Sequence, residues 1–174
     1  MELGDINEDV TEVLQILHND LFKRGVEVST ALTEDIPLVN GDHIQLQQVI
    51  LNLIVNGCDA MNKTEQESRR LFITTTREDA HHVRISVADR GTGIPPEMMQ
   101  RIFAAFYTTK ENGLGMGLAI CHEIIRAHGG KLWATNNSGA GATFHFTLTV
   151  AGRLSSATTS KAHGSNGAEQ DAVK

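Results

Sequence analysis

Residues Gln45 to Asp59 read as one helix. At about 100° per residue, Gln45, Gln48, Asn52, Asn56 and Asp59 fall on a single stripe. Nearly everything else there is apolar, from Ile44 and Leu46 through Val49, Leu53 and Cys58 to Ala60. A helix apolar nearly all round is buried, so its one polar stripe faces water or a site. A merely wet face usually carries Lys, Glu and Arg. This one carries amides and one acid, and Asn and Asp cost helix stability. Short oxygen-bearing side chains suit a hard cation such as Mg²⁺ and its phosphates, or else a solvated stripe on a core helix.

Four further groups could carry chemistry. Asp89 closes an apolar strand in the run Asp89-Arg90-Gly91-Thr92-Gly93-Ile94-Pro95. A carboxylate there can accept from an exocyclic amine such as adenine's, with glycines that admit a flat ring; the plain alternative is an Asp-Gly turn. Gly113-Leu114-Gly115-Met116-Gly117-Leu118 opens a helix, where free N–H groups bind anions and glycine lets phosphate approach. It is neither the dinucleotide fingerprint nor a P-loop, and a flexible linker would look similar. Lys110, in Phe106-Tyr107-Thr108-Thr109-Lys110, is placed to reach terminal phosphates, with Phe103 and Phe106 pinning the loop's base; otherwise it is a surface lysine. Thr143 starts a strand, where its hydroxyl can bond a ring nitrogen or simply favour β structure.

These residues need elements to hold them. Asp5 to Arg24 reads as an amphipathic helix capped by Asn7 and ended by Gly25. Val26 to Thr30 alternates as a strand, Ile36 to Leu38 is extended, and Asn40-Gly41-Asp42 is a turn whose Asp42 caps the central helix. Leu71–Arg77 and Val83–Ala88 are paired strands, with His81-His82 at their turn. Pro95 and Pro96 open a short helix. Gly115 to Ala127 is helical and stopped by Gly129-Gly130. Lys131–Thr135 and Ala142–Val150 flank a short turn and must be antiparallel. The pattern implies an α/β two-layer sandwich: a mixed, mostly antiparallel sheet with helices on one face.

Composition narrows the classes. A chain of 174 residues with 40% apolar content can build one domain with a real core. We place it at residues 1–152, because from Arg153 to residue 174 the composition cannot bury enough to fold. Acidic residues outnumber basic ones, 21 to 15, which argues against a nucleic-acid surface. No apolar run reaches membrane-spanning length and no signal-peptide pattern opens the chain, so a cytoplasmic location without direct membrane contact is expected. Cys58 and Cys121 read as buried free thiols. The eight histidines show no metal-ligand spacing.

Taken in order, the motifs resemble the ATP-binding domain of sensor histidine kinases, in the superfamily shared with gyrase, heat-shock chaperone and mismatch-repair ATPases. The resemblance covers roughly residues 5 to 150. Asn52 to Ala60 matches the N box, Asp89 to Ile94 the G1 box, Phe103 and Phe106 the F box, and Gly113 to Leu118 the G2 box. The resemblance implies ATP with Mg²⁺ between the N-box helix and a lid of roughly Thr108 to Leu114, including Thr109. It implies that Asn56 ligates Mg²⁺ and Asn52 supports the phosphates. Asp89 would hold the adenine amine, with Gly91, Gly93 and Ile94 shaping that pocket and Thr143 helping. Gly113, Leu114, Gly115, Met116, Gly117 and Leu118 would line the phosphates, and Lys110 would touch the terminal ones.

Two departures matter. Asp59 is acidic where some kinases are basic, as in gyrase-like members. Asn52 stands where gyrase-like ATPases place a glutamate base, and an amide takes no proton from water, which implies slow hydrolysis and transfer to another protein group. The family's acceptor histidine lies on a preceding helical-hairpin dimerisation domain. His122-Glu123-Ile124 imitates its start but lacks the proline and sits in the wrong domain. The resemblance thus implies a monomeric catalytic fragment whose partners are that hairpin domain and a response regulator's receiver domain. The alternative function is a nucleotide-gated binding module such as an anti-sigma-factor-like regulator.

Overall fold

The computed structural model describes residues 1–108 and 115–152. The readings for Thr109, Lys110, Gly113 and Leu114, and for the tail 153–174, lie outside the described residues.

Helix α1 (Ile6–Lys23) starts where Asp5, not Asn7, caps it: the Asp5 carboxylate accepts the Asn7 N–H at 2.8 Å. Asn7 instead ties the helix to the sheet, donating to Thr33 O at 2.9 Å and accepting from Thr75 Oγ1 at 2.7 Å. Gly25, at φ +63°, turns the chain out of the helix. Helix α2 (His43–Ala60) is capped by Asp42 as expected, through the Gln45 N–H at 3.2 Å. Its Leu46, Val49, Ile50, Leu53 and Ile54 are fully buried, each contributing on the order of 2 kcal/mol. Ile44 breaks the pattern and is 82% exposed, because its position faces away from the sheet in the first turn. Helix α3 (Gly117–Ala127) begins two residues later than the sequence suggests.

Strands β2 (Glu27–Leu32), β4 (Arg70–Arg77), β5 (His82–Asp89), β7 (Ala142–Thr149) and β6 (Leu132–Asn136) form one sheet in the spatial order β2-β4-β5-β7-β6. The β2–β4 pair is parallel and the others antiparallel. A separate small ladder joins β1 (Glu2–Gly4) to β3 (Val39–Gly41), so Asn40-Gly41 lies in a strand rather than a turn. The three-residue β1 carries no readable alternation of its own.

Alternation along β5 buries Val83, Ile85, Val87 and Asp89 toward the helices. The same face of β7 carries Phe144, Phe146 and Leu148. Asp89 therefore occupies a core position of the strand register. The three helices cover this face, and the sandwich has the expected two layers.

Candidate nucleotide-binding site

Asp89 is 3% exposed. Its Oδ1 accepts the Gly91 N–H at 2.8 Å and the Ala142 N–H at 3.3 Å. Oδ2 accepts from no described residue. Burial pushes the carboxyl above the usual carboxylate range, and the two backbone donors oppose that shift without overcoming it. One oxygen is thus fixed by the fold, and the other has no hydrogen-bond donor among the described residues.

The central helix lies directly above this group. A Cβ added at Gly57 would stand 2.8 Å from Leu71 Cδ2 and 3.4 Å from the Asp89 Cβ, so glycine sets how closely α2 approaches the strand end. At Gly91 a Cβ would meet the Ala60 carbonyl oxygen at 2.4 Å. The close contacts of Gly57 and Gly91 bring the end of the Asn52–Asn56 stripe beside Asp89. Asn52 and Asn56 are half-buried there. Asn52 donates Nδ2 to Cys121 Sγ at 3.6 Å, a thiol that burial raises to about 11 and so keeps neutral. Asn56 accepts no hydrogen bond from a described residue.

Asp59 is held from the side of α1. Arg24 Nη1 reaches its Oδ1 at 2.7 Å, which ties the end of α1 to the end of α2. This gives the acid a structural partner at the position where the sequence alone left its role open.

On the other side, α3 begins at Gly117 with no side chain capping it. Its N-cap, Met116, supplies no side-chain acceptor to the first N–H groups, which point out of the helix. Gly115, at φ +68°, packs so tightly on the preceding loop that a Cβ would lie 2.5 Å from the Phe106 carbonyl carbon. The chain at Phe106-Tyr107 therefore abuts the chain at Gly115. Thr108 is exposed at the edge of the described residues. Phe103 does anchor the loop, edge-on to Phe144 at 6.3 Å and against His122 at 5.9 Å. Phe106 does not: it is 75% exposed, with φ +64° turning its side chain outward. His122 serves this packing.

Thr143 is not brought to Asp89. Strand alternation puts it on the outer face, in register with Ala88, where its hydroxyl donates to Asn137 Oδ1 at 2.6 Å. Its neighbour Ala142 stands beside Asp89 instead. Sequence reasoning missed Ala142, Gly57 and Gly141. At Gly141, φ is +88° and a Cβ would fall 2.0 Å from the Asp89 carbonyl oxygen. A glycine inside a buried helix and another at a strand start were the available signals.

Among the described residues no cluster of three or more His, Cys, Asp or Glu could hold a metal, and no helix is long and apolar enough to cross a membrane.

Residues 41–152 match the family model for histidine kinase-, DNA gyrase B- and HSP90-like ATPases. The sensor protein FixL of Bradyrhizobium diazoefficiens is 38% identical over 129 residues, 74% of this chain and 25% of that protein. The catalytic domain of histidine kinase ThkA superposes with a TM-score of 0.75 at 32% identity, covering 86% of this chain and 97% of that one. Full-length ShkA in complex with AMPPNP gives a TM-score of 0.74 at 30% identity, covering 87% of this chain and 32% of that one. The chain spans about a quarter of the length of FixL. With the family model covering well over half of its residues, the chain belongs to the histidine kinase-, DNA gyrase B- and HSP90-like ATPases.

Proposed function

We propose that this chain is the ATP-binding catalytic domain of a sensor histidine kinase, which holds Mg²⁺-ATP and donates its γ-phosphoryl group to a histidine on a separate dimerisation domain. The observation that carries the reading is the Asp89 carboxylate, with Oδ1 fixed by two backbone donors and Oδ2 given none by the described residues. That is the acceptor an adenine exocyclic amine needs. Gly91, Gly93 and Ile94 form the wall beside the ring.

The phosphates extend toward α3. There the N–H groups of Gly115, Met116, Gly117 and Leu118 face them, with Gly113, Leu114, Thr109 and Lys110 assigned to the same end from the sequence. Asn56 offers an amide oxygen to Mg²⁺, and Asn52 offers its own to the phosphates. Mg²⁺ takes few protein ligands and completes its shell with water and phosphate oxygens, which suits a site whose described residues form no acidic cluster. Bound there, it neutralises charge on the phosphates, and the protein's own part is positioning.

Placed at the phosphates, Asn52 would also favour transfer over hydrolysis, since an amide cannot act as a base. Replacing it as Asn52→Glu raises the slow basal ATPase; an unchanged rate with ATP still bound contradicts that role. The acceptor hairpin and a response regulator are the partners, and a cytoplasmic location follows from ATP use.

Mixing the protein with a separately made histidine-bearing hairpin domain and γ-labelled ATP tests the whole reading. Acid-labile phosphohistidine on the hairpin is expected. A stable complex with no transfer supports a nucleotide-gated binding module instead.

A further inference from the structure

The loop from Asp89 to Ile94 is held at both ends by the turn between β6 and β7. Asn136 accepts the Ile94 N–H on Oδ1 at 2.8 Å and donates Nδ2 to the Ile94 carbonyl at 2.7 Å. The carboxamide pairs with one residue's backbone as a neighbouring strand would, and the pairing fixes which amide atom is which. Asn137 donates Nδ2 to the Asp89 carbonyl at 2.9 Å and to Ala140 O at 3.1 Å. Its own Oδ1 is oriented by the Thr143 hydroxyl at 2.6 Å.

Two other contacts of the loop are longer. Thr92 N–H reaches Ala60 O at 3.3 Å, and Thr64 Oγ1 reaches Arg90 O at 3.4 Å. Among the described residues, the asparagine bonds to this loop are shorter than those two contacts. Backbone shape agrees. Gly93, at φ +74°, leaves room for the Asn136 oxygen, which would lie 3.1 Å from a Cβ there. Gly141 lets the turn pass directly over the Asp89 carbonyl.

We propose that Asn136 and Asn137 are positioning residues that set the adenine selectivity of the site, by clamping the backbone at Ile94 and Asp89 so that Asp89 Oδ2 faces the purine amine. Thr143 acts through Asn137 rather than on the ring. The proposal rests on the adenine assignment of Asp89 made above. Neither asparagine touches nucleotide, so their loss appears as relaxed base choice. Triphosphate contacts, which come from α2 and α3, are spared.

The test compares ATP with inosine triphosphate, which lacks the exocyclic amine, by calorimetric titration of the folded protein. The unaltered protein is expected to prefer ATP by about tenfold or more, the scale of one hydrogen bond to a charged acceptor. Asn136→Ala, and Asn137→Asp, which turns the donor at Asp89 O into an acceptor, are expected to cut that preference to about threefold or less while inosine triphosphate affinity stays within about twofold. Thr143→Val keeps both asparagines and the strand, and is expected to give a smaller loss of preference. It decides the matter if the asparagine variants do not fold.

Undiminished preference in the folded variants overturns the proposal, as does a parallel loss of both affinities, which marks general damage. If the unaltered protein itself does not distinguish the two nucleotides, the adenine assignment of Asp89 fails, and this proposal fails with it.

Discussion

The two ends of the site are built differently. At Asp89 every backbone turn is fixed: a buried carboxylate bonded by Gly91 and Ala142, a loop clamped by Asn136 and Asn137, and glycines where α2 and the β6–β7 turn press closest. At the start of α3 the helix has no side-chain cap, Phe106 stands exposed at φ +64°, and the contact with Gly115 is backbone on backbone. The contrast suits a ligand with one rigid planar end and one charged flexible end. A purine amine has one acceptable geometry and rewards a preformed acceptor. A triphosphate needs several donors, which the protein brings together around it.

Changes at the fixed end should have the largest effect. Asp89→Asn must keep its oxygen toward the Gly91 and Ala142 N–H groups, which turns its NH₂ toward the purine amine. Donor then meets donor, and ATP affinity should fall by about a hundredfold, close to 3 kcal/mol, with the melting temperature little changed. Wild-type affinity in this variant would break the contrast at its root.

At the phosphate end, Asn56→Ala should weaken Mg²⁺-ATP binding by about tenfold and leave binding in the presence of EDTA unaltered. Equal losses with and without Mg²⁺ would remove Asn56 from the metal.

Acidification separates affinity from stability. The Asp89 carboxyl titrates above the ordinary carboxylate range because it is buried. Protonation removes the acceptor, so ATP affinity should decline at a pH above that of an exposed aspartate. The native state, with the raised pKa, binds this proton more readily than the unfolded chain. At this one group stability therefore rises as affinity falls. Titrations of ATP across the acid range, with melting curves of the unaltered protein compared with those of Asp89→Asn to isolate this group, should show the two moving in opposite directions.

Effects on stability alone are expected at Gly115 and Gly117. Gly115→Ala should cost about 1–2 kcal/mol, since φ is +68° and a Cβ strikes the Phe106 backbone. Gly117→Ala meets nothing within 4 Å and should raise the melting point slightly, by up to about 0.5 kcal/mol of stability. Denaturant melts of the pair would show whether the difference is real.

How much of this could be read beforehand follows from the range of each interaction. The α2 stripe, the Asp42 cap and the alternation that ends on Asp89 are local patterns, and the structure keeps them. The parallel β2–β4 pairing, the Arg24–Asp59 ion pair and the asparagine clamps join residues far apart in sequence, where spacing carries no signal. Thr143 shows the cost of a single step in register: one residue along β7, the side chain faces the opposite side of the sheet. Phe106 does not anchor the loop, because aromatic type carries no information about a positive φ.

A crystal structure of the protein with Mg²⁺ and a non-hydrolysable ATP analogue tests the central claim most directly. The account predicts the adenine amine about 3 Å from Asp89 Oδ2 and the Asn56 amide oxygen on the metal. A nucleotide seated with its base away from Asp89, or with its phosphates away from Asn56, would contradict it.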